Sequence, residues 1–264
     1  MKILVTNDDG ISAEGLWLLV RELKKIAQVV AVAPDREQSA IGTAVTLSRP
    51  LRVHKMRLGG PEVTAYAVEG TPADSVILAL EKLVGSDIDL VISGINQGLN
   101  VGNDVLISGT VGAALQGYLR GFSAIAVSLS SGDSRYLKIA ARVAALLAAK
   151  IKADAFPPGI FLNVNLPDLP LAGIKGLKVT RLASESHVDT VEEGHDGKRE
   201  YYWLVRRRLD ETTKNLENTV DIGAIEAGYI SVTPLHIYLN GRHAPIITDS
   251  FCSDVFKKLR EGSQ

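Results

Sequence analysis

Short apolar runs alternate with segments of helical periodicity along most of the chain. Residues 3–5 and 29–33 are apolar runs, and between them apolar residues from 16 to 26 recur at three- and four-residue spacing. Runs of this kind are typical of strands buried on both faces, whereas the spacing is typical of an amphipathic helix. The start of the chain therefore predicts a strand, a helix and a second strand.

The same alternation continues towards the C-terminus. It predicts helices over residues 72–84, 110–120, 134–151, 221–227 and 250–259, and strands over residues 90–92, 124–127, 160–164 and 229–232. Strands that alternate with helices form a parallel sheet with helices on both faces. The predicted fold class is therefore α/β, with a mostly parallel sheet.

Three β-like runs interrupt this alternation before the second helix. They cover residues 44–47, 51–56 and 63–68, with no helical segment between them. We expect these runs to form a small side sheet.

A second departure begins after residue 182. Residues 184–218 are rich in charge, and the β-like run 199–206 contains Tyr201, Tyr202 and Trp203. This composition predicts an exposed arm or hairpin. Its aromatic residues could stack on a base, but aromatic residues on a protruding hairpin more often pack against a partner subunit. We expect one α/β domain over residues 1–264. It consists of a core over about 1–182 and, over about 183–264, an oligomerisation arm with a C-terminal strand and helix.

The charge balance and the cysteine content exclude several classes of protein. The chain has 29 Lys and Arg against 30 Asp and Glu and a formal net charge of −1, without a basic block, which argues against binding to nucleic acid polymers. The single Cys252 cannot form an intramolecular disulfide, and no Cys/His group has zinc-site spacing. The apolar stretch after Lys2 is too short for a signal peptide, and no apolar run is long enough to span a membrane. We expect a cytoplasmic protein without membrane contact.

Candidate chemistry lies where the predicted strands end, because open parallel sheets bind ligands beyond the carboxyl ends of their strands. The polar segments at these positions are 7–10, 34–39 and 93–104, and a fourth, 108–110, opens a helix. The five histidines (His54, His187, His195, His236 and His243) lie outside these loops and are expected to be structural or at the surface. Dinucleotide-binding, P-loop and serine-hydrolase motifs are absent from the sequence.

Asp8 and Asp9 are candidate metal ligands at the end of the first strand. Adjacent carboxylates repel each other, and oxygen ligands select a hard cation such as Mg²⁺, Mn²⁺ or Ca²⁺. Ser39 and Asn96 would add a hydroxyl and an amide oxygen from neighbouring strand ends. The alternative is that Asp8-Asp9-Gly10 forms only a turn with a helix cap. Because three polar strand ends converge here, we favour a metal site over a simple turn with a helix cap.

Ser108, Gly109 and Thr110 open a helix of small residues, so backbone N–H groups and two hydroxyls can face an anion such as a phosphate. The alternative is an ordinary Ser/Thr helix cap. The position of this segment next to the candidate metal ligands favours phosphate binding over an ordinary cap. With this loop, Asn7 and Gly10 complete the candidate substrate-binding residues.

The sequence resembles the survival protein E (SurE) family of metal-dependent nucleotidases. The segments that carry the resemblance are 1–11, 34–39, 69–74 (EGTPAD), 93–96 (SGIN), 108–111 (SGTV) and 228–235 (GYISVTPL). The resemblance implies a Rossmann-like core with an exchanged C-terminal arm, a homodimer or homotetramer, and phosphatase activity on nucleoside monophosphates. It matches Asp8, Asp9, Ser39 and Asn96 to metal ligands, and residues 108–110 to a phosphate-facing loop.

Family members differ in their preference for 5′- or 3′-monophosphates and in activity on short polyphosphate. This sequence departs from the family pattern at Gln97, Ile107 and Gln116, where a basic residue, Tyr and Glu are frequent. The first two flank the expected site, so they affect base preference and substrate orientation. The ligand set is intact.

The resulting hypothesis is hydrolysis of nucleoside monophosphates with one Mg²⁺ or Mn²⁺ per subunit, by metal-activated water, with Asp8 and Asp9 as catalytic residues. A phosphoaspartyl intermediate is the competing chemistry. A non-catalytic, metal-dependent nucleotide-sensing module and a structural scaffold built through residues 184–218 are the alternatives from other classes. Because the chain is almost neutral overall, a cation and a helix N-terminus must supply the positive field for a phosphate.

Overall fold

The computed structural model describes residues 1–58, 60, 63–85, 87–130, 134–153, 159–184, 187–208 and 219–237. The strands within these residues are β1 (Lys2–Thr6), β2 (Gln28–Pro34), β3 (Val53–Met56), β4 (Thr64–Val68), β5 (Leu90–Gln97), β6 (Ser123–Leu129), β7 (Phe161–Leu166), β8 (Leu177–Val179), β9 (His187–His195), β10 (Glu200–Arg208) and β11 (Ile230–Pro234). The α-helices are α1 (Glu14–Leu23), α2 (Pro72–Leu78), α3 (Gly109–Leu119), α4 (Leu137–Ala153) and α5 (Asp221–Glu226). The α/β fold class is confirmed.

A nine-stranded sheet runs in the order β3-β4-β2-β1-β5-β6-β7-β11-β8. Strands β4, β2, β1, β5, β6 and β7 are parallel, whereas β3 and β11 are antiparallel to their neighbours β4 and β7. Apolar side chains of α1 and α4 pack on one face of the sheet, and those of α2 and α3 pack on the other. The central strand β1 is thus covered on both sides, as its apolar run predicts.

The small second sheet is present, but its strands differ from those expected. It consists of β9 and β10, which form an antiparallel hairpin in the predicted arm. Of the runs assigned to a side sheet, 51–56 and 63–68 contribute β3 and β4 to one edge of the main sheet, and 44–47 forms no strand. Strand β4 pairs with β2, and β3 pairs with β4, so both short strands gain the support of a large sheet that an isolated two-stranded sheet would lack.

Strand β5 is longer than its apolar run indicates, because it continues through the polar residues to Gln97 with an irregularity between Ser93 and Asn96. Aromatic and aliphatic residues on the hairpin are exposed, with Trp203 at 65% and Leu204 at 84%. The predicted helix over 250–259 and Cys252 lie outside the described residues. No helix in the described part of the chain has the length and apolar character needed to cross a bilayer.

Gly15 sets how closely α1 approaches β5. A Cβ atom on this residue would lie 2.5 Å from the backbone oxygen of Ile95. Alanine at an open helical position stabilises a helix by about 1 kcal/mol relative to glycine. Overpacking against a backbone atom costs about 1–3 kcal/mol, so the clash outweighs the gain.

We therefore expect Gly15→Ala to lower the free energy of unfolding, measured by urea denaturation, by about 1–2 kcal/mol. Gly173→Ala is the matched control, since its Cβ would meet its nearest neighbour at an ordinary 3.6 Å. A Gly15→Ala protein as stable as the wild type would show that α1 is not held at this distance from β5.

Candidate metal and phosphate site

A cavity of about 500 Å³ opens at the carboxyl ends of β2, β1 and β5, which are neighbours in the sheet. The chain moves outward from β1 to β2 and later returns to β5 on the other side of β1, so the strand order reverses here. This is the position where open α/β sheets bind ligands. The polar residues of its wall are Asp8, Asp9, Glu37, Ser39, Asn96, Gln97, Asn100, Asp104, Ser108, Ser130, His187 and Arg206.

The turn after β1 is fixed by Asn7 and Gly10. The Asn7 side-chain amide donates to the Gly10 carbonyl oxygen at 3.0 Å, and its oxygen accepts from the Gly10 N–H at 3.1 Å. Gly10 has φ +96°, and a Cβ atom there would lie 3.0 Å from the Arg36 backbone. Neither residue lines the cavity; together they hold the turn that places Asp8 and Asp9 in its wall.

Asp8 is only 4% exposed and contacts the beginning of helix α3. Its Oδ1 atom accepts a hydrogen bond from the Thr110 hydroxyl at 2.5 Å. A Cβ atom on Gly109 would lie 2.8 Å from Asp8 Cβ, so glycine is required for this approach. The first turn of α3 therefore serves the protein's own carboxylate.

Burial raises the pKa of both carboxyls. For Asp8 the increase comes from desolvation, opposed by the Thr110 hydroxyl and by backbone N–H groups. For Asp9, desolvation and then the charges of Asp8 and Glu37 raise the pKa to about 7. The folded protein thus holds negative charge here that its own groups do not fully compensate.

Ser39 and Asn96 reach the same cavity from the ends of β2 and β5. The Ser39 hydroxyl donates to Glu37 Oε1 at 2.6 Å, which leaves its oxygen able to bind a cation. The Asn96 side-chain nitrogen donates to the Gly98 carbonyl oxygen at 2.8 Å, and no hydrogen bond from a described residue reaches its Oδ1 atom. The structure brings all four predicted metal ligands to one cavity.

Within the segment 108–110, Ser108 faces the cavity, whereas Gly109 and Thr110 contact Asp8. Ser108 caps α3 by accepting from the Val111 N–H at 3.1 Å, and it lines the cavity. Thr110 is fully buried and its hydroxyl is used by Asp8, while Gly109 lies against Asp8. Within this segment Ser108 is the residue whose hydroxyl proton remains available to a ligand in the cavity.

Sequence reasoning missed the opposite wall, where Asp104 meets two residues of the hairpin. His187 Nδ1 lies 2.7 Å from Asp104 Oδ2, and Arg206 Nη1 lies 3.1 Å from Asp104 Oδ1. The expectation that the histidines lie away from the site is wrong for His187, which lines the cavity. Only the pairing of β9 and β10 brings these residues together, so no local pattern reveals them.

Asn100 anchors the loop that carries this wall. Its backbone oxygen accepts from the side chains of Asn163 and Asn165, its N–H donates to Asn165, and its own side chain donates to Ser128. The buried Asp221 adds a second anchor through the N–H of Gly102 at 2.8 Å. Desolvation raises the pKa of the Asp221 carboxyl, against the N–H donors that bind it.

The three departures from the family pattern occupy different places. Gln97 and Ile107 line the cavity. Gln116 is buried in α3 and accepts from Arg120 Nη1 at 2.7 Å, away from the cavity wall.

The fold and the site define an α/β protein with an acidic ligand cavity at the carboxyl edge of a mostly parallel sheet. The sequence matches the family described as "Survival protein SurE" over residues 3–189, and the chain belongs to the SurE family.

Its relatives include proteins named 5′-nucleotidase SurE. The chain is 54% identical over 238 residues to the one from Dehalococcoides mccartyi (strain CBDB1), with 89% of each sequence covered. It is 45% identical over 240 residues to the one from Moorella thermoacetica, with 90% of this chain and 91% of the relative covered. The crystal structure of SurE from Aquifex aeolicus matches with a TM-score of 0.78 at 33% identity, covering 98% of this chain and 100% of that one.

The raised pKa of Asp9 predicts a measurable effect on stability without metal. In the unfolded chain its pKa is 3.8, so between pH 4 and 7 the folded state binds more protons and the charged carboxylate costs stability as pH rises. With chelator present, Asp9→Asn should melt a few degrees above the wild type at pH 8 and at the same temperature below about pH 4. Thermal unfolding across this pH range measures the difference.

The exposed Asp35, which lies outside the cavity, provides the control. Asp35→Asn should leave the melting temperature unchanged at both pH values. Equal melting temperatures of Asp9→Asn and wild type at pH 8 would show that the charge of Asp9 does not destabilise the folded protein.

Proposed function

We propose that the chain is a metal-dependent 5′-nucleotidase, a phosphoric monoester hydrolase that converts nucleoside monophosphates to nucleoside and phosphate. The observation that carries this proposal is the buried pair Asp8 and Asp9, held against the beginning of α3 on a cavity of about 500 Å³. That volume lies in the range of small-molecule sites. The names of the relatives, 5′-nucleotidase SurE, support the same activity.

Asp8, Asp9, Ser39 and Asn96 are the proposed ligands of one divalent cation per subunit. Their oxygen donors suit Mg²⁺ or Mn²⁺. Two observations favour such an ion: the burial that, with the charges of Asp8 and Glu37, raises the pKa of Asp9 to about 7, and the Asn96 Oδ1 atom that no described residue binds. Within the described residues no group of three or more His, Cys, Asp or Glu could hold a metal, so neutral oxygens must complete the coordination.

When bound, the cation would neutralise phosphoryl oxygens and acidify the attacking water. Ser108 donates its hydroxyl proton to a phosphoryl oxygen, since its own oxygen already accepts from Val111. Asp9, the more exposed of the two carboxylates, accepts the proton of the water. Thr110 and Gly109 hold Asp8 in place, and Asn7 and Gly10 hold the turn.

The geometry around Asp8 favours direct attack by water over a phosphoaspartyl intermediate on that residue. Its carboxyl is 4% exposed, and Oδ1 is engaged by Thr110. A nucleophilic carboxylate needs a free oxygen in line with phosphorus. In this proposal Asp8 therefore binds the cation and does not bond to phosphorus.

The proposed activity extends to 3′-monophosphates and short polyphosphate. Gln97 and Ile107, which line the cavity wall, would determine the preference for one base over another. The exposed apolar residues of the hairpin support assembly as a homodimer or homotetramer. The single-domain organisation and the cytoplasmic location stay predictions, as does the absence of nucleic acid and membrane partners.

A panel of nucleoside 5′- and 3′-monophosphates with Mg²⁺, Mn²⁺ or chelator tests the activity. We expect phosphate release from 5′-monophosphates with metal and none with chelator, because the carboxylate pair cannot accept an anionic substrate alone. The second candidate, a nucleotide-sensing module, predicts metal-dependent binding in calorimetry without phosphate release. That outcome under every metal would exclude the nucleotidase.

The Thr110 hydroxyl is expected to orient Asp8 for the cation. Thr110→Val keeps the shape but removes the hydrogen bond, so Mn²⁺ affinity measured by calorimetry should fall about tenfold or more. Thr110→Ser keeps the hydroxyl and should therefore retain the Mn²⁺ affinity. Thr190→Val is the matched control, since the Thr190 hydroxyl binds the Val205 carbonyl oxygen on the hairpin. Unchanged Mn²⁺ affinity in Thr110→Val would show that the Thr110 hydroxyl does not orient Asp8 for the cation.

A further inference from the structure

We propose that His187 is the general acid of the nucleotidase, donating a proton to the ribose oxygen that leaves phosphorus, and that Asp104 is its positioning residue. The inference rests on the proposed nucleotidase function. Its basis is the contact that joins the hairpin to the cavity wall, where His187 at the start of β9 meets Asp104.

The contact places a carboxylate beside one ring nitrogen of His187. The buried Nδ1 atom lies 2.7 Å from Asp104 Oδ2 in an ion-pair contact that lacks the alignment of a hydrogen bond, and no hydrogen bond within the described residues engages Nε2. The side chain is 23% exposed and lines the same cavity as Asp8 and Asp9. A carboxylate on one nitrogen sets the ring orientation and leaves the second nitrogen to exchange a proton with a ligand.

Asp104 is itself held in place. Its side chain is 11% exposed, its Oδ1 atom accepts from Arg206, and Arg206 also forms two contacts with Asp189 at 2.7 and 2.8 Å. Among the described side chains, the charged groups near His187 are the carboxylates of Asp104 and Asp189 and the guanidinium of Arg206.

The other ionisable groups of the cavity wall are poorly suited to this role. Asp8 and Asp9 are proposed cation ligands, which must be ionised when a metal is bound. Glu37 accepts from Ser39 through Oε1, and Asp104 accepts from Arg206 through Oδ1, so both carboxylates already act as hydrogen-bond acceptors. Arg206 does not give up its proton near neutral pH. His187 remains as the proton donor among the described residues of the wall.

Hydrolysis of a nucleoside monophosphate has a chemical need for such a donor. The oxygen of water forms a bond to phosphorus while the bond from phosphorus to the ribose oxygen breaks. The electron pair of the broken bond stays on the ribose oxygen, which takes the proton from His187 Nε2. The proton of the attacking water goes to Asp9, which then releases it to solvent, and His187 regains a proton from solvent, so the products are nucleoside and phosphate.

Leaving-group dependence tests this role directly. An alkoxide such as that of ribose is a poor leaving group without a proton, whereas the phenolate of p-nitrophenyl phosphate leaves readily. His187→Gln should lower kcat on the 5′-monophosphate that the wild type hydrolyses best by about 100-fold or more. On p-nitrophenyl phosphate, kcat should fall by no more than about threefold, since binding of metal and phosphate is retained.

His195→Gln is the matched control, because His195 ends the same strand and lies outside the cavity. It should leave both activities unchanged. Asp104→Asn should show the same selective loss as His187→Gln but a smaller one, with KM unchanged. An unchanged ratio between the two substrates in Asp104→Asn would overturn the positioning role.

Equal loss of both activities in His187→Gln, or no loss of either, would overturn the general-acid role. If the wild type releases no phosphate from either substrate with Mg²⁺ or Mn²⁺, the nucleotidase proposal itself fails, and the general acid with it. The wild-type assay separates that result from a failure of the His187 assignment alone.

Discussion

Two adjacent carboxylates are buried at the end of the central strand, and the surrounding structure is organised to accommodate them. Removing an ionised carboxylate from water costs several kcal/mol even after relaxation. The N-terminus of a helix such as α3 stabilises a nearby carboxylate by at most about 2 kcal/mol. A hydrogen bond from a hydroxyl such as that of Thr110 to a charged group adds about 1.5–3 kcal/mol. These contributions serve Asp8 and leave Asp9 with a pKa of about 7. The magnitudes favour a cation as the missing partner.

The same constraint explains why the cavity walls are so firmly fastened. Asn100 is bound through its backbone and side chain to strands β6 and β7, and Asp221 fixes Gly102 two residues further on. Asp104, which follows, is therefore presented at a fixed place to His187 and Arg206 of the hairpin. The proposed binding of a cation and a phosphate would depend on such preorganised walls, since small displacements of the reacting groups are costly in rate.

The sheet and the meeting of Asp8, Asp9, Ser39 and Asn96 in one cavity were predictable because local patterns encode them. The apolar runs identify the central strands, and the polar residues that follow identify their carboxyl ends. Strands β3 and β4 were misassigned, since period-two alternation reveals a strand but not which sheet it joins. The role of Thr110 escaped for a similar reason, because a hydroxyl at a helix start looks the same whether it binds a phosphate or the protein's own Asp8. The His187–Asp104 contact joins residues more than eighty positions apart, and only the folded hairpin reveals it.

In the proposed function, the charges of the described cavity wall make binding of the substrate depend on a cation. Asp8, Asp9, Glu37 and Asp104 contribute four carboxylates, against the guanidinium of Arg206. That guanidinium is already paired with Asp104 and Asp189, so little of its field is available to a phosphate. An anionic substrate therefore meets net repulsion until a divalent cation occupies the Asp8–Asp9 end of the cavity. The near-zero net charge of the chain is thus compatible with a phosphorylated substrate because the positive charge is supplied locally.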